Sequence, residues 1–130
     1  MLQSFSDLNL SEDLLKALRD LEIVKPTEIQ EQAITNLLSN TKDFVGIAKT
    51  GTGKTAAFGL PLLQLVDISN TNIQAEILAP TRELGQQIFN NLEAFAKYIP
   101  ELSIASICGG VPVKPQIERV SKTTHIVVAT

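Results

Sequence analysis

The sequence predicts an α/β fold in three layers, a mostly parallel sheet with helices on both faces, and three observations lead to it. Short apolar runs at residues 43–47, 75–79, 103–108 and 125–129 have strand length and are bounded by turn-forming residues. Segments with apolar residues at helical spacing alternate with them, and parallel neighbours need such crossovers. A glycine-rich stretch, Ala48-Lys49-Thr50-Gly51-Thr52-Gly53-Lys54-Thr55, sits between the first apolar run and the helical segment 56–66. A strand, loop and helix in that order turn successive main-chain N–H groups inward and add the positive end of a helix dipole, which suits polyphosphate. Lys54 then reaches the outer phosphates, and the Thr55 hydroxyl is placed to ligate a magnesium ion that keeps most of its waters.

The remaining elements follow in order. Ser11 is a candidate N-cap, with Glu12 and Asp13 in the first turn and Leu14, Leu15, Leu18 and Leu21 at helical spacing. Pro26 closes that segment. Thr27 and Gln30 then have the spacing of a capping box for a helix carrying Ile29, Ala33, Ile34, Leu37 and Leu38, so local physics alone makes Gln30 a capping residue. Residues 67–72 form a polar connector. Pro80 ends the strand at 75–79, and Thr81 can cap a long helix over 82–98 with Leu84, Ile88, Leu92 and Phe95 as its stripe. Gly109 and Gly110 end the next strand, Pro112 and Pro115 bracket the entry to a short helix over 116–120, and the last strand precedes Thr130. Ligands in such sheets bind at the carboxyl ends of the strands. The phosphate loop, Pro80-Thr81-Arg82-Glu83, Gly109-Gly110 and Thr130 all fall at those ends.

The 130 residues suffice for one domain with a core, and a hydrophobic fraction of 44% is that of a folded protein. A net charge of −3 makes the chain no general trap for polyanions, so a nucleic-acid contact requires a local cleft. One cysteine, Cys108, excludes an internal disulfide and a multi-cysteine metal site. His125 is equally alone, and both read as structural. The amino-terminal residues lack a secretory pattern and no apolar run approaches membrane-spanning length, so the expected compartment is the cytoplasm, with no membrane partner.

Taken together, these stretches resemble the first RecA-like domain of DEAD-box RNA helicases, from Phe5 to the last residue. Lys25-Pro26-Thr27-Glu28-Ile29-Gln30 is similar to the family's Q motif, with Phe5 at the spacing of its upstream aromatic. Ala48 to Thr55 is similar to motif I, Pro80-Thr81-Arg82-Glu83-Leu84 to motif Ia, Gly109-Gly110 to the GG element and Thr130 to the first residue of motif Ib. Glu22 and Ile23 stand where the family usually has a glycine and an aromatic. The resemblance implies a P-loop NTPase domain truncated at its C-terminal end, with a Q-motif region at 5–30 and a P-loop α/β core at 43–130.

It also implies ATP and Mg2+ as cofactors. Phe5 is expected to stack on the adenine, Gln30 to pair with its Hoogsteen edge, Thr27 to support the loop, and Ala48, Lys49, Thr50, Gly51, Thr52, Gly53, Lys54 and Thr55 to hold the phosphates, with Lys54 and Thr55 acting in catalysis. Pro80, Thr81, Arg82, Gly109, Gly110 and Thr130 are expected to line a path for single-stranded or duplex RNA through backbone contacts that do not read sequence. From the residues alone Thr81 is equally an N-cap, Gly109-Gly110 a plain turn, and Arg82-Glu83 a solvated pair. The acidic motif, arginine finger and second RecA-like domain of the family lie outside these residues, so the segment is expected not to turn over ATP alone. Two other readings stay open: a P-loop ATPase acting on DNA or protein, and a nucleotide-binding interaction module without catalysis.

Overall fold

The computed structural model describes residues 4–130, which divide into two compact units. The first runs up to Leu65 and includes Phe95–Tyr98, and the second comprises Val66–Ala94 and Ile99–Thr130.

The first unit is helical. A 3-10 turn, Phe5–Leu8, is capped by Ser4, whose hydroxyl accepts from Ser6 N and whose own N–H donates to the Asp7 carboxylate at 3.1 Å. Helix α1, Glu12–Asp20, starts as expected at Ser11. It ends in a Schellman arrangement, with Ile23 N donating to Leu18 O at 2.9 Å and Glu22 N to Arg19 O at 3.0 Å. Glu22 sits in the left-handed region at φ 58°, the conformation glycine takes without a Cβ penalty. Helix α2, Glu28–Ser39, packs against helix α3, Lys54–Leu65. Phe5, Leu8, Leu14, Leu18, Ile34 and Leu60 form the buried interior. Gln64, near the end of α3, accepts from Ser11 N at 2.7 Å and donates to Asn9 O, pinning the link between the 3-10 turn and α1. Asp20 at the end of α1 takes hydrogen bonds from Lys97, at 2.8 Å, and from the Tyr98 hydroxyl, while Lys16 lies 4.6 Å from the Tyr98 ring centroid.

The strand expected at 43–47 does not form. A strand exists only with a ladder partner, and these residues have none among the described residues, leaving Val45 86% and Ile47 94% exposed. Apolar content alone does not make a strand, because pairing is not a local property.

The second unit carries three parallel strands, β1 (Ala75–Leu78), β2 (Ile104–Ile107) and β3 (Ile126–Ala129), in the order β1-β3-β2. Ile126 stands in register with both Ala75 and Ile104. Helix α4, Arg82–Phe95, joins the outer strands, and helix α5, Val113–Ser121, leads back to the middle one. Right-handed crossovers with these opposite shifts put the two helices on opposite faces, as the alternation predicted. Helix α4 stops three residues before the expected end, where Pro100 disfavours helical backbone at Ile99 and residues 96–98 form a turn. Helix α5 begins earlier than expected because Pro115 falls within its first turn, where an N–H would have no partner in any case. Ile88, Leu92, Ile104, Ile126 and Val128 fill the interior.

Candidate functional site

The phosphate-loop candidate lies in the first unit. Gly51 and Gly53 have φ 77° and 78°, so the loop passes twice through backbone that only glycine takes freely. That reversal leads directly into α3. From Ala48 to Ala56 no main-chain N–H donates a hydrogen bond to a described residue, and no side chain caps the helix start. Nine consecutive unspent positions thus lead into the start of α3, and free N–H groups at a helix start are the donors that suit an anion.

The α2 start is tied to this loop. Thr27 and Gln30 make the capping box read from sequence: Thr27 Oγ1 accepts from Gln30 N at 3.4 Å and Gln30 Oε1 from Thr27 N at 2.9 Å. The same two side chains also reach the loop, Thr27 Oγ1 donating to Thr52 O at 2.8 Å and Gln30 Nε2 to Gly53 O at 3.1 Å. A Cβ on Gly53 would fall 2.1 Å from Gln30 Nε2, so glycine is required there for approach as well as for φ. Gln30 is only 5% exposed, yet one of its N–H groups and one lone pair on its oxygen remain uncommitted. Thr52 Oγ1 donates to Lys49 O at 2.7 Å, and Lys54 Nζ spans the loop to Ala48 O at 2.9 Å. The ammonium therefore rests on the loop's first carbonyl. Thr55 is half-buried in the first turn of α3, and Thr50 is exposed.

Phe5 departs from expectation. A stacking platform needs an open ring face, and this ring is 2% exposed within the first unit, so the arrangement offers it as packing and not as a surface for a base.

The second unit brings together the other predicted residues at the carboxyl ends of its strands. Pro80 and Thr81 follow β1, and the Thr81 hydroxyl accepts from Leu84 N at 3.2 Å as the N-cap of α4. Arg82 makes no ion pair with Glu83; its Nη1 donates to Gly109 O at 3.3 Å, linking the start of α4 to the turn after β2. Gly110 has φ 78°, and a Cβ there would fall 2.7 Å from Arg82 Nη1. Thr130 N donates to Ile107 O at 3.3 Å, and a Cβ on Gly85 would meet Thr130 Cγ2 at 3.1 Å. Thr81, Arg82, Gly109, Gly110 and Thr130 are all exposed.

Sequence reasoning missed two supports of this cluster. Gln116 Oε1 accepts from Cys108 N at 2.8 Å while its Nε2 donates to Pro112 O at 3.2 Å, bracing the Gly109-Gly110 turn. Gly85 lets α4 close on the end of β3. A glutamine in the first turns of a helix entered through prolines is the only local sign of the former. His125, fully buried, accepts from Ser103 N through Nδ1 at 3.0 Å and faces Ile68 O through Nε2 at 3.3 Å, so Nε2 carries the proton and the ring serves as a structural bridge. Among the described residues no group of three or more His, Cys, Asp or Glu could hold a metal ion, and no helix is long and apolar enough to cross a membrane.

The family model described as DEAD/DEAH box helicase matches residues 27–130. The chain is 43% identical over 127 residues to a probable ATP-dependent RNA helicase of Methanocaldococcus jannaschii, covering 98% of the chain and 34% of that protein. It is 43% identical over 132 residues to the DEAD-box ATP-dependent RNA helicase CshA of Bacillus subtilis, with 98% and 25% covered. The crystal structure of a DEAD box protein from the hyperthermophile Methanococcus jannaschii superposes with a TM-score of 0.88 at 41% identity, over 98% of this chain and 34% of that one. S. cerevisiae Dbp5 bound to RNA and ADP BeF3 gives 0.87 at 32% identity, over 99% and 32%. The chain thus spans about a third or less of the length of the curated relatives it matches. The α/β fold is the RecA-like fold of those structures, and the chain belongs to the DEAD/DEAH box helicase family.

Proposed function

We propose that this chain is the nucleotide-binding part of an ATP-dependent RNA helicase. The observation that carries the reading is the run of unspent main-chain N–H groups from Ala48 to Ala56, with Lys54 across its mouth. The phosphates of ATP lie against those N–H groups, and Lys54 exchanges Ala48 O for the outer phosphates. Lys49, Thr50, Gly51, Thr52 and Gly53 supply main chain to the cradle. Gln30 reads adenine with its free N–H and free lone pair, a donor and acceptor side by side that the Hoogsteen edge of adenine matches and that of guanine does not. Thr27 holds the loop through Thr52 O.

The donor set fits Mg2+ in one way only: the Thr55 hydroxyl at the start of α3 gives a single oxygen, and the phosphates and water supply the rest. When bound, the ion neutralises charge developing on the transferred phosphoryl group. Lys54 and Thr55 are thereby the groups of this chain that touch the reacting atoms.

RNA follows Pro80, Thr81, Arg82, Gly109, Gly110 and Thr130 through its backbone. This is supported by their shared exposure at the strand ends and by the Arg82 guanidinium beside the glycine turn. In the whole protein, ATP and RNA draw a second RecA-like domain against this one over the strand, separating a duplex locally, and hydrolysis releases it. The free energy enters as a difference in nucleotide affinity between open and closed states. The chain by itself binds nucleotide and turns over none.

Titration calorimetry with MgATP and MgGTP tests the reading. Wild type is expected to prefer ATP, Lys54→Ala to lose both nucleotides, and Gln30→Ala to lose the preference. Unchanged ATP binding in Lys54→Ala refutes the cradle, and unchanged preference in Gln30→Ala refutes the base contact. RNA-stimulated ATP turnover by the 130-residue chain would refute its dependence on a second lobe.

A further inference from the structure

Strand β2 lies at one edge of the sheet, so among the described residues half of its main-chain groups have no strand beside them. Ile126 N donates to Ser103 O at 3.2 Å and Thr130 N to Ile107 O at 3.3 Å, so the odd-numbered residues turn their N–H and C=O toward β3. The even-numbered ones, Ile104, Ser106 and, just past the strand, Cys108, turn theirs outward. An edge of this kind accepts a further strand unless something covers it.

Two side chains of α5 cover it, one at each end. Arg119 Nη2 donates to Ile104 O at 2.8 Å, and Gln116 Oε1 accepts from Cys108 N at 2.8 Å. Between them, the N–H and C=O of Ser106 have no partner among the described residues. Arg119 is steadied by Ser103 Oγ at 3.2 Å and Thr124 Oγ1 at 3.4 Å. The helix that carries both side chains is lightly anchored: none of its residues is buried, and Val113 and Ile117 are 66% and 57% exposed. Side-chain hydrogen bonds therefore hold α5 across the edge with little help from apolar burial.

Nothing in β2 itself repels an identical strand. No charged side chain lies between Glu101 and Lys114, and an uncharged edge with isoleucines at both ends is prone to pair with itself. When two copies of β2 meet antiparallel about a two-fold axis, Ser106 faces Ser106 at the centre, where the two hydroxyls can bond each other. Ile104 of each copy then faces Cys108 of the other, and such facing pairs exchange both N–H···O bonds. Cys108 N of one copy donates to Ile104 O of the other. These are the two groups that Gln116 and Arg119 occupy.

We infer that the outer edge of β2 is a docking strand for a second copy of this chain, held shut by Gln116 and Arg119. Sedimentation velocity over a concentration series tests this on the 130-residue chain. Gln116→Ala/Arg119→Ala is expected to tighten dimerisation at least about tenfold relative to wild type, because each freed group regains a hydrogen bond across the dimer. Adding Ser106→Pro removes the outward N–H at the centre of the pairing, a change that edge strands tolerate, and is expected to return association to the wild-type level. Amide hydrogen exchange locates the contact independently: in the double variant the Ser106 amide is expected to slow as concentration rises.

A folded double variant that associates no more tightly than wild type overturns the guard. Tightening that survives Ser106→Pro, or that leaves exchange at Ser106 unchanged, overturns this edge as the docking site. Thermal melting reports whether the double variant folds. If it does not, Gln116→Ala alone, which frees Cys108 N and leaves Arg119 in place, decides between the same outcomes.

Discussion

Gly53 offers the sharpest test of how the loop is held, because two separate costs meet there and a neighbouring glycine carries only one of them. A Cβ at Gly53 meets Gln30 Nε2 at 2.1 Å and Cδ at 3.1 Å on backbone at φ 78°, whereas a Cβ at Gly51, at φ 77°, meets nothing within 4 Å. Gly51→Ala should therefore pay only for left-handed backbone, about 1–2 kcal/mol. Gly53→Ala pays the same and also expels the Gln30 amide, forfeiting its bond to Gly53 O and disturbing its bond from Thr27 N. At about 1 kcal/mol for each net hydrogen bond, the total is about 3–4 kcal/mol. Urea unfolding followed by circular dichroism measures both, and a Gln30→Ala background completes a double-mutant cycle. In that background the two glycine substitutions should cost the same. The reasoning fails if Gly51→Ala and Gly53→Ala are equally destabilising in the wild-type chain, or if the excess at Gly53 persists without Gln30.

Three further outcomes follow from the same geometry. Glu22→Gly, relieving a left-handed glutamate at the end of α1, should raise the melting temperature through a gain of about 0.5–1 kcal/mol, since the backbone relief exceeds the added freedom of the unfolded chain; a loss of stability would show that the Glu22 side chain has a role of its own. Gly110→Ala should displace the Arg82 guanidinium and weaken RNA binding several-fold while sparing nucleotide binding, as read by anisotropy and calorimetry on one sample. The clasp around Asp20 should be pH-dependent at both ends. Hydrogen bonds from Lys97 and then Tyr98 hold the Asp20 carboxyl below the usual carboxylate range, and Asp20 in turn raises Lys97 and Tyr98. The Asp20 contribution is thus complete above the ordinary carboxylate value and is lost as pH falls through its lowered one. Those of Lys97 and Tyr98 are complete below their ordinary values and are lost as pH rises through the raised ones. Side-chain NMR titration of Asp20 in wild type and Lys97→Ala checks this: an Asp20 midpoint that does not rise in the variant removes the clasp.

The parts of this fold that the sequence disclosed are those decided within a few residues. Ser11, Thr27 with Gln30, and Thr81 each cap the helix that their spacing announced, because a cap is a bond between neighbours. The alternation of apolar runs gave the three strands to within a residue or so. What the sequence could not disclose depends on distant partners: residues 43–47 have no ladder among the described residues, and Gln64 finds Asn9 and Ser11 more than fifty positions away. Gln30 combines both cases. Its cap was legible from Thr27 alone, whereas its hold on Gly53 O crosses 23 positions and appears only in three dimensions.

The order β1-β3-β2 has a consequence for how the second unit comes into being. The central strand, Ile126–Ala129, is the last of the three to be synthesised, and among the described residues neither outer strand has a hydrogen-bonding neighbour until it arrives. As the nascent polypeptide leaves the ribosome, β1 waits with bare edges through the emergence of α4 and α5, and β2 through that of α5. Such bare edges are what molecular chaperones recognise and what sticks to other chains. Slow translation over residues 80–125 would lengthen that wait, and a ribosome stalled there would hold a sheet lacking its keystone.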